Sequence, residues 1–238
     1  MRTTPIIAAL LVAAGLALSA PARSASDDLV YFLTDKGEEL LEKASEKDDF
    51  WPLIAAFVSE KRETYCGIAS SVMVLNALKV PPPLAPTWYP NRYWDEDNIF
   101  TEAVLQSVES VQLVEMEGIT LAQLATMLDK SGAKAEPVFA SDTDLEKFRA
   151  AAIATLRDPG AFLIVNVGRA VLGQGTIANG GHISPIGAYN AEEDRFLMLD
   201  VARYKYEPSW IPAVRLFRAM NTLDTTSGKT RGYVIARR

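Results

Sequence analysis

The sequence contains 238 residues, 49% of them hydrophobic, and its formal net charge at pH 7 is −6. This length and apolar content suit one well-buried domain. The acidic balance argues against nucleic acids and anionic membrane surfaces as partners, because both are bound by basic surfaces.

The first segment predicts a secretory signal peptide. Arg2 supplies a short basic region, residues 6–18 form an uncharged apolar run, and small residues follow them. We expect cleavage between Ala20 and Ala25, so that residues 1–25 are the signal and residues 26–238 are a mature domain in the periplasm or outside the cell. An uncleaved membrane anchor is the alternative, although the run is short for crossing a bilayer.

Helical periodicity dominates the first half of the chain. We expect Ser141 to cap one helix, because a short hydroxyl side chain accepts hydrogen bonds from free helical N–H groups. A segment rich in proline and aromatic residues, 81–98, predicts a long loop of the kind that often forms part of a site. The spacing of apolar residues predicts helices at residues 34–47, 67–78, 119–130 and 142–157, and a more apolar segment at residues 49–57.

Strand signals dominate the second half. Runs of β-favouring residues between turn residues predict strands at residues 134–140, 161–167, 182–189, 196–202 and 231–235. The turn NAEED joins the third and fourth of these strands as a hairpin, and residues 210–221 predict a last helix. Helices that precede antiparallel strands, rather than alternating with them, indicate an α+β fold.

Cys66 is the only cysteine of the chain and His182 is its only histidine. A single cysteine cannot form a disulfide within the chain. Because the common zinc sites need three or four cysteine and histidine ligands, we expect no metal ion or cofactor held by the protein itself. If the chain uses a nucleophile and a base of the commonest types, Cys66 and His182 are that pair.

Cys66 precedes Gly67 at the predicted start of an apolar helix. The helix dipole and the free N–H groups at such a position favour a thiolate and lower the pKa of a thiol. Gly67 lets the backbone approach a bound group. The alternative is that Cys66 is a small buried hydrophobic residue and that His182 is an ordinary core histidine.

The predicted hairpin brings His182 towards Asp200. The two residues are directly opposite if the numbers of paired residues add up to 382, and they are diagonal neighbours if the numbers add up to 384. An odd register, in which the paired residue numbers add up to an odd number, would place them on opposite faces of the sheet. A carboxylate behind an imidazole holds its tautomer, and the imidazole then activates a thiol. Cys66, His182 and Asp200 are therefore a candidate catalytic triad.

Three segments carry a family resemblance: YCGIASSVMVLNALKV, GGHISPIGAYNAEEDRFLMLDVARYKYEPSWIP and AMNTLDTTSGKTRGYVI. Together they resemble the phytochelatin synthase family over about residues 57–235. The resemblance implies a papain-like cysteine protease fold with an N-terminal helical lobe and a C-terminal antiparallel sheet lobe. It also implies that residues 26–238 form a catalytic domain of the short bacterial type, which leans towards hydrolysis.

The resemblance implies that Cys66 is the nucleophile, His182 the general base and Asp200 the orienting acid. Glutathione would acylate Cys66 with loss of glycine, and the acyl group would pass to water or to a second glutathione, giving γ-glutamylcysteine or a phytochelatin. Glutathione and related thiol peptides are thus the implied partners. A heavy-metal ion such as cadmium would enter as the glutathione thiolate, and a homodimer is compatible with the sequence.

Further residues in the matching segments fall where the family contacts its substrate: Gly181, Ile183, Arg203, Tyr206, Asp224 and Arg231. An arginine can clamp a glutathione carboxylate with two parallel hydrogen bonds, and Asp224 can receive the γ-glutamyl ammonium group. The alternative is that these side chains brace the fold or lie at the surface without touching substrate.

Glu60 departs from the family pattern, which has a glutamine as oxyanion-hole donor six residues before the nucleophile. An ionised carboxylate cannot donate a hydrogen bond, and loss of one such donor lowers rates by about 100- to 1,000-fold. The oxyanion could still be stabilised in three ways. Burial could protonate Glu60, Ser59 or Lys61 could act as the donor, or the N–H of Cys66 alone could suffice. The alternatives are a non-catalytic relative that binds thiols or peptides, and a papain-like peptidase of other specificity.

Overall fold

The computed structural model of the chain describes residues 28–175 and 180–238. The predicted signal peptide lies outside the described residues. Within them, the helices are α1 (Asp35–Glu42), α2 (Phe50–Ala55), α3 (Cys66–Ala77), α4 (Glu102–Leu105), α5 (Val111–Glu117), α6 (Leu121–Lys130), α7 (Leu145–Leu156) and α8 (Ala213–Met220). The strands are β1 (Val30–Tyr31), β2 (Lys134–Phe139), β3 (Ala161–Gly168), β4 (Gly181–Asn190), β5 (Arg195–Met198), β6 (Ser209–Pro212), β7 (Leu223–Asp224), β8 (Lys229–Thr230) and β9 (Gly232–Arg237). None of the described helices combines the length and the apolar character that a bilayer crossing requires.

One antiparallel sheet organises the fold. It has seven strands in the order β1-β6-β5-β4-β3-β9-β2, and β7 pairs separately with β8. Strands β4 and β3 lie in the middle of the sheet, and every residue of β3 is buried. The sequence of β3, AFLIVNVG, is almost continuously apolar, which is typical of a strand that is covered on both faces.

Helices cover both faces of this sheet. Ile68 of α3 and Leu128 of α6 pack on one face together with Ile164 of β3. Phe148 of α7 and Leu216 of α8 pack in a second cluster on the other face. This packing of helices on an antiparallel sheet confirms the predicted α+β class, whereas the two-lobed papain-like arrangement stays a prediction.

Most predicted elements are confirmed, with shifted ends. The helix predicted at residues 67–78 corresponds to α3, and the strands predicted at residues 134–140 and 161–167 correspond to β2 and β3. The first predicted helix is shorter than expected and ends at Glu42. The short helices α4 and α5, which follow the proline-rich loop, were not predicted, because neither is long enough to show a clear period.

Two predicted helix starts are wrong. Ser141 does not cap α7, because Ala140–Asp142 is a short 3-10 turn and the cap is Asp144, whose side chain accepts the Lys147 N–H at 2.9 Å. The helix predicted at residues 210–221 begins only at Ala213, because Ser209–Pro212 pairs with β5 as strand β6.

A β-bulge interrupts the predicted hairpin of β4 and β5. Next to the turn the strands pair in an odd register, with Tyr189 opposite Phe196. The register shifts between Ile186 and Ala188, and Ile186 then lies opposite Met198. Beyond the bulge the strands are therefore in an even register, whose paired numbers add up to 384.

The bulge decides the relative position of His182 and Asp200. The even register continues past the end of β5, where the Leu199 N–H donates to the Pro185 carbonyl at 2.9 Å. His182 and Asp200 are consequently diagonal neighbours on one face of the sheet. Without the shift, the odd register of the turn would have placed them on opposite faces.

Candidate active site

Cys66 is the first residue of α3 and lies beside the start of β4. Ser70 holds the helix against this strand, because its hydroxyl donates to the Ile183 carbonyl at 3.0 Å. Since Ser70 follows Cys66 by one turn on the same side of the helix, this hydrogen bond brings the thiol close to β4. The Ile183 N–H donates towards the sulfur.

Gly67 has a packing role in the structure. A β-carbon at this position would lie 2.6 Å from side-chain atoms of Ile119 and 3.2 Å from Ile183 Cδ1. The two isoleucines therefore close over the first turn of α3. This packing explains why a glycine is needed here. The sequence had instead suggested that Gly67 lets the backbone approach a bound group.

His182 and Asp200 are buried and in direct contact. Nε2 of His182 lies 2.8 Å from Asp200 Oδ1 and 2.7 Å from Ser184 Oγ. Ser184 is held in turn by the Val201 N–H, which donates to its hydroxyl oxygen at 3.2 Å. Because Nε2 is occupied by these partners, Nδ1 is the ring nitrogen that remains for the thiol of Cys66.

Arg169 binds the carboxylate of Asp200. Its Nη1 and Nη2 atoms donate to the two Asp200 oxygens at 2.9 and 3.1 Å. Nη1 also donates to Gln174 Oε1 at 2.7 Å, and the guanidinium lies 4.5 Å from the centroid of the Tyr206 ring. This network fixes the carboxylate that orients His182.

The charges around Asp200 keep it ionised. Burial by itself would raise the pKa of Asp200, but the charges and hydrogen bonds of His182 and Arg169 hold that pKa well below its usual range. Burial also lowers the pKa of His182 below its ordinary value, against the opposing effect of Asp200. The imidazole is therefore neutral at pH 7 and able to accept a proton.

The thiol is protonated at rest. Burial raises the pKa of Cys66 to about 12, and the negative charge of Glu60 adds to this shift. The N–H groups of Ile183 and Gly67 and the charge of Arg169 act in the opposite direction but are weaker. The expectation that the helix start lowers the pKa of the thiol is wrong, because the loss of hydration outweighs the helix terminus.

Glu60 completes the surroundings of the thiol. Only 6% of the residue is exposed, and its Oε1 accepts a hydrogen bond from the Tyr204 hydroxyl at 2.9 Å. Burial raises the pKa of Glu60 to about 7, although the Tyr204 hydrogen bond and the charge of Arg169 act against this shift. One polar atom each of Glu60, Cys66 and His182 lies within 4.8 Å of the other two.

A cavity of about 220 Å³ opens beside the thiol. It gives the site residues of both charges, because Asp224 and Arg231 both line it. The cavity also brings together four of the predicted substrate-binding residues, Gly181, Ile183, Asp224 and Arg231, with Cys66 and His182.

A second cavity, of about 180 Å³, shares the start of β4 with the first. Tyr206 lines this second cavity together with Glu60 and Arg169. Among the described residues, Arg203 lines neither cavity, and its guanidinium lies 4.6 Å from the centroid of the Phe57 ring. The structure thus brings the other predicted substrate-binding residues to the two cavities and leaves Arg203 outside them.

Several residues of the site did not stand out in the sequence. Ser184 follows His182 by two positions, so strand alternation was a usable signal that both side chains share one face. Arg169, Tyr204 and Asn166 gave no such signal, because their contacts with the site depend on how separate segments pack. Asn166 lies on β3 and lines the cavity beside the thiol.

The described side chains form a cysteine–histidine–aspartate constellation at a helix start and a sheet, the arrangement found in enzymes with a cysteine nucleophile. A family model described as phytochelatin synthase matches residues 21–233. The chain belongs to the phytochelatin synthase family, which confirms the resemblance carried by the three sequence segments.

Curated relatives agree with this assignment. The chain is 34% identical over 220 residues to glutathione gamma-glutamylcysteinyltransferase 2 of Arabidopsis thaliana, covering 91% of this chain and 46% of that protein. It is 35% identical over 217 residues to glutathione gamma-glutamylcysteinyltransferase 1 of Triticum aestivum, covering 90% and 41%. Glutathione gamma-glutamylcysteinyltransferase of Schizosaccharomyces pombe (strain 972 / ATCC 24843) is 27% identical over 188 residues, covering 79% of this chain and 43% of that protein. The chain thus spans less than half the length of these relatives.

Proposed function

We propose that the chain is a glutathione-directed cysteine enzyme. Cys66 takes up the γ-glutamylcysteinyl group of glutathione with release of glycine, and the acyl group then passes to water or to a second glutathione. The observation that carries this proposal is the His182–Asp200 contact beside Cys66, in a chain of the phytochelatin synthase family. The name of the relatives, glutathione gamma-glutamylcysteinyltransferase, supports the same substrate.

Acylation begins with glutathione in the cavity beside Cys66. Nδ1 of His182 accepts the thiol proton while Sγ attacks the carbonyl carbon of the cysteinyl–glycine bond. Proton transfer during the attack suits this pair, because a thiol with a pKa of about 12 is rarely ionised beforehand at pH 7. Asp200 accepts the Nε2 hydrogen bond and stabilises the imidazolium. The imidazolium then protonates the departing glycine amine, and the thioester is formed.

The negative charge that develops on the carbonyl oxygen needs hydrogen-bond donors. The N–H of Cys66 can take this role, because the first N–H groups of a helix have no partner within it. The protonated form of Glu60 provides a second donor, whereas its ionised form repels the oxyanion. Since the pKa of Glu60 is about 7, both forms are present near neutral pH.

Deacylation uses the same imidazole as a base. His182 removes a proton from water, which attacks the thioester carbonyl and releases γ-glutamylcysteine and the thiol. Attack by the α-amino group of a second glutathione instead gives a phytochelatin. In this proposal a heavy-metal ion such as cadmium enters as the thiolate complex of glutathione, as part of the substrate.

Two charged groups in the cavity suit the ends of glutathione. Arg231 can pair with a carboxylate, and Asp224 can receive the γ-glutamyl ammonium group. A β-carbon at Gly181 would lie 3.0 Å from Arg231 Nη2, so the glycine leaves room for that guanidinium. We assign Arg231 and Asp224 as the groups that position glutathione over Cys66.

Product analysis tests the proposal. The purified protein is incubated with glutathione, with and without cadmium, and the products are followed by mass spectrometry. We expect glycine, γ-glutamylcysteine and an acyl-enzyme mass on Cys66, and no glycine release from Cys66→Ala. No product and no adduct on Cys66 would refute the enzyme and favour the non-catalytic relative.

A matched substrate separates the remaining alternative. The α-glutamyl isomer of glutathione has the same atoms and charges but an ordinary peptide bond at its first residue. We expect slow or no cleavage of this isomer. Equal cleavage of both isomers would indicate a papain-like peptidase without γ-glutamyl preference.

A further inference from the structure

The side chains of Glu60, Cys66 and His182 converge on one point. Each offers one ligand atom, and these atoms lie within 4.8 Å of one another. Any three atoms with that limit have a common point within about 2.8 Å of each, whereas zinc bonds are about 2.3 Å to sulfur and about 2.0 Å to imidazole nitrogen. Side-chain adjustments of less than about 1 Å would therefore bring all three to bonding distance.

The carboxyl group of Glu60 has one oxygen available for an ion. Its Oε1 accepts the Tyr204 hydrogen bond, which holds the group in place. Its Oε2 is buried and has no hydrogen-bond partner within the part of the chain that the structure describes. An oxygen that is removed from water without a partner is costly for the fold, and a bound cation would satisfy it.

The ligands are also supported from behind. In metal sites, a histidine ligand usually donates its second ring N–H to a carboxylate, and a carboxylate ligand is usually held by a further hydrogen bond. Here Nε2 of His182 contacts Asp200 at 2.8 Å, and the hydroxyl of Tyr204 holds Glu60. Each support engages one atom of its side chain, which leaves Nδ1 of His182 and Oε2 of Glu60 for an ion.

Charge and access suit a divalent ion. A thiolate and a carboxylate together neutralise a 2+ ion, and sulfur with nitrogen and oxygen is a donor set that zinc-like ions accept. His182 lines both cavities, Cys66 the first and Glu60 the second, so an ion has a path from solvent. The count of cysteines and histidines had excluded a zinc site, but it did not include Glu60.

We propose that Glu60, Cys66 and His182 form a three-ligand site for a divalent zinc- or cadmium-type ion, and that this ion blocks the thiol. Binding converts the Cys66 thiol into a metal-bound thiolate and releases one proton to solvent. The sulfur electron pair is then unavailable for attack on a carbonyl. A fourth position on the ion stays open to water or to an incoming thiol.

Cobalt binding tests the site without any turnover. We expect Co²⁺ to give a thiolate-to-metal charge-transfer band with the wild-type protein, and Zn²⁺ to displace it. The band should be absent in Cys66→Ala, and Glu60→Gln should bind Co²⁺ at least about tenfold more weakly, because it loses a charged ligand. Glu63→Gln is the matched control, since Glu63 lines both cavities but is not one of the three ligands.

The absence of a charge-transfer band in the wild-type protein with Co²⁺, or equal affinities for Glu60→Gln and the wild type, would overturn the proposal. If Glu60→Gln fails to fold, the Co²⁺ affinity of Tyr204→Phe tests the site instead. Tyr204 is 54% exposed, and this substitution removes only the hydroxyl group that holds Glu60. About tenfold weaker binding supports the site and unchanged binding overturns it. Because the spectrum needs no glutathione, a failure of the proposed enzyme activity leaves this test intact.

Discussion

At the residue scale, the two protonation states of Glu60 have opposite effects on the proposed reaction. The neutral carboxyl group can donate a hydrogen bond to the oxyanion, whereas the carboxylate repels both the oxyanion and a forming thiolate. Burial raises the pKa of Glu60 to about 7. The carboxylate therefore becomes the dominant form as the pH rises through 7.

We expect Glu60→Gln to be faster than the wild type, by an amount that grows with pH. At pH 5.5 both proteins present a donor, and their kcat/KM values for glycine release should agree within about threefold. At pH 8 the wild type is mostly ionised at this position, and the variant should be at least about tenfold faster. The measurement is a pH profile in the presence of a chelator.

A constant ratio of the two proteins across that pH range would contradict this account of Glu60. Glu63→Gln serves as the control, because Glu63 is exposed and lines both cavities, including the one that Glu60 lines. Its pH profile should follow the wild type.

In the proposed reaction, Arg169 acts through Asp200. Its two hydrogen bonds hold the carboxylate behind His182 and help to keep the pKa of Asp200 low. Below that pKa, Asp200 is neutral and no longer stabilises the imidazolium. On the acid side, activity is lost before Asp200 titrates, because His182 gains a proton and can no longer act as the base. In addition to burial, the positive charge of Arg169 lowers the pKa of His182.

We expect Arg169→Gln to lower kcat/KM by about tenfold or more and to move the acid limb of the pH profile to higher pH. The reason is that His182 loses the nearby positive charge of Arg169, so the pKa of the imidazole rises. Arg169→Lys keeps the charge but cannot donate two parallel hydrogen bonds. Its kcat/KM should lie between those of the wild type and Arg169→Gln. A uniform loss at all pH values, with an unshifted acid limb, would indicate a merely structural role for Arg169.

At the element scale, helix α2 begins next to a buried acid. Asp49 is only 3% exposed, and its Oδ2 has no hydrogen-bond partner among the described residues. Its side chain does not cap the helix. Burial, together with the charges of Asp48 and Asp158, raises the pKa of Asp49 from 3.8 to about 8.

This shift predicts that the fold loses stability as the pH rises from 4 to 8. Below pH 4 the group is protonated in both states, so its contribution is fully present. Between these values the unfolded chain releases the proton and the folded chain keeps it, which costs up to about 1.4 kcal/mol per pH unit. Above pH 8 no further loss is expected from this group.

Asp49→Asn should remove this dependence. We expect the free energy of unfolding at pH 8 to rise by roughly 2–5 kcal/mol relative to the wild type, and to change little at pH 4. Urea unfolding at the two pH values measures it. The exposed Asp35→Asn should change stability by less than about 1 kcal/mol at pH 8. If the difference in the free energy of unfolding between Asp49→Asn and the wild type is the same at pH 4 and pH 8, the prediction is wrong.

The elements also show what local sequence can predict. The run at β3 and the helix α3 were predicted because their patterns are long and uniform. The strand β6 was missed because residues 209–212 follow directly into α8, and only pairing with β5 distinguishes them from helix. The bulge between Ile186 and Ala188 was also missed, since register depends on packing across the hairpin.

At the scale of the whole molecule, the site is assembled from distant parts of the chain. Cys66 and His182 could be predicted because each is the only residue of its type, and Asp200 because the hairpin is local. The contact of Tyr204 with Glu60 joins residues 144 positions apart, and Arg169 reaches Asp200 across 31 positions. Sequence periodicity cannot predict contacts between such distant segments, so this part of the site could be identified only from the structure.

The order of the strands also limits where the chain can be cut. Strand β1 pairs with β6 at the edge of the sheet, and the Asp28 carbonyl accepts a hydrogen bond from the buried Arg195 at 2.7 Å. Cleavage after Asp28 would remove this acceptor and leave a buried guanidinium with less support. Cleavage between Ala20 and Ala25, as the signal-peptide prediction requires, leaves both interactions intact.

We therefore expect the full-length chain, expressed in a bacterium with a secretion system, to be recovered from the periplasm as a shortened protein. Its intact mass should place the new N-terminus between residues 21 and 26. Leu11→Arg introduces a charge into the apolar run, so that variant should stay in the cytoplasm at full mass. Full-length wild-type protein in the membrane fraction would instead support the uncleaved anchor, and an N-terminus beyond Asp28 would conflict with the Arg195 contact.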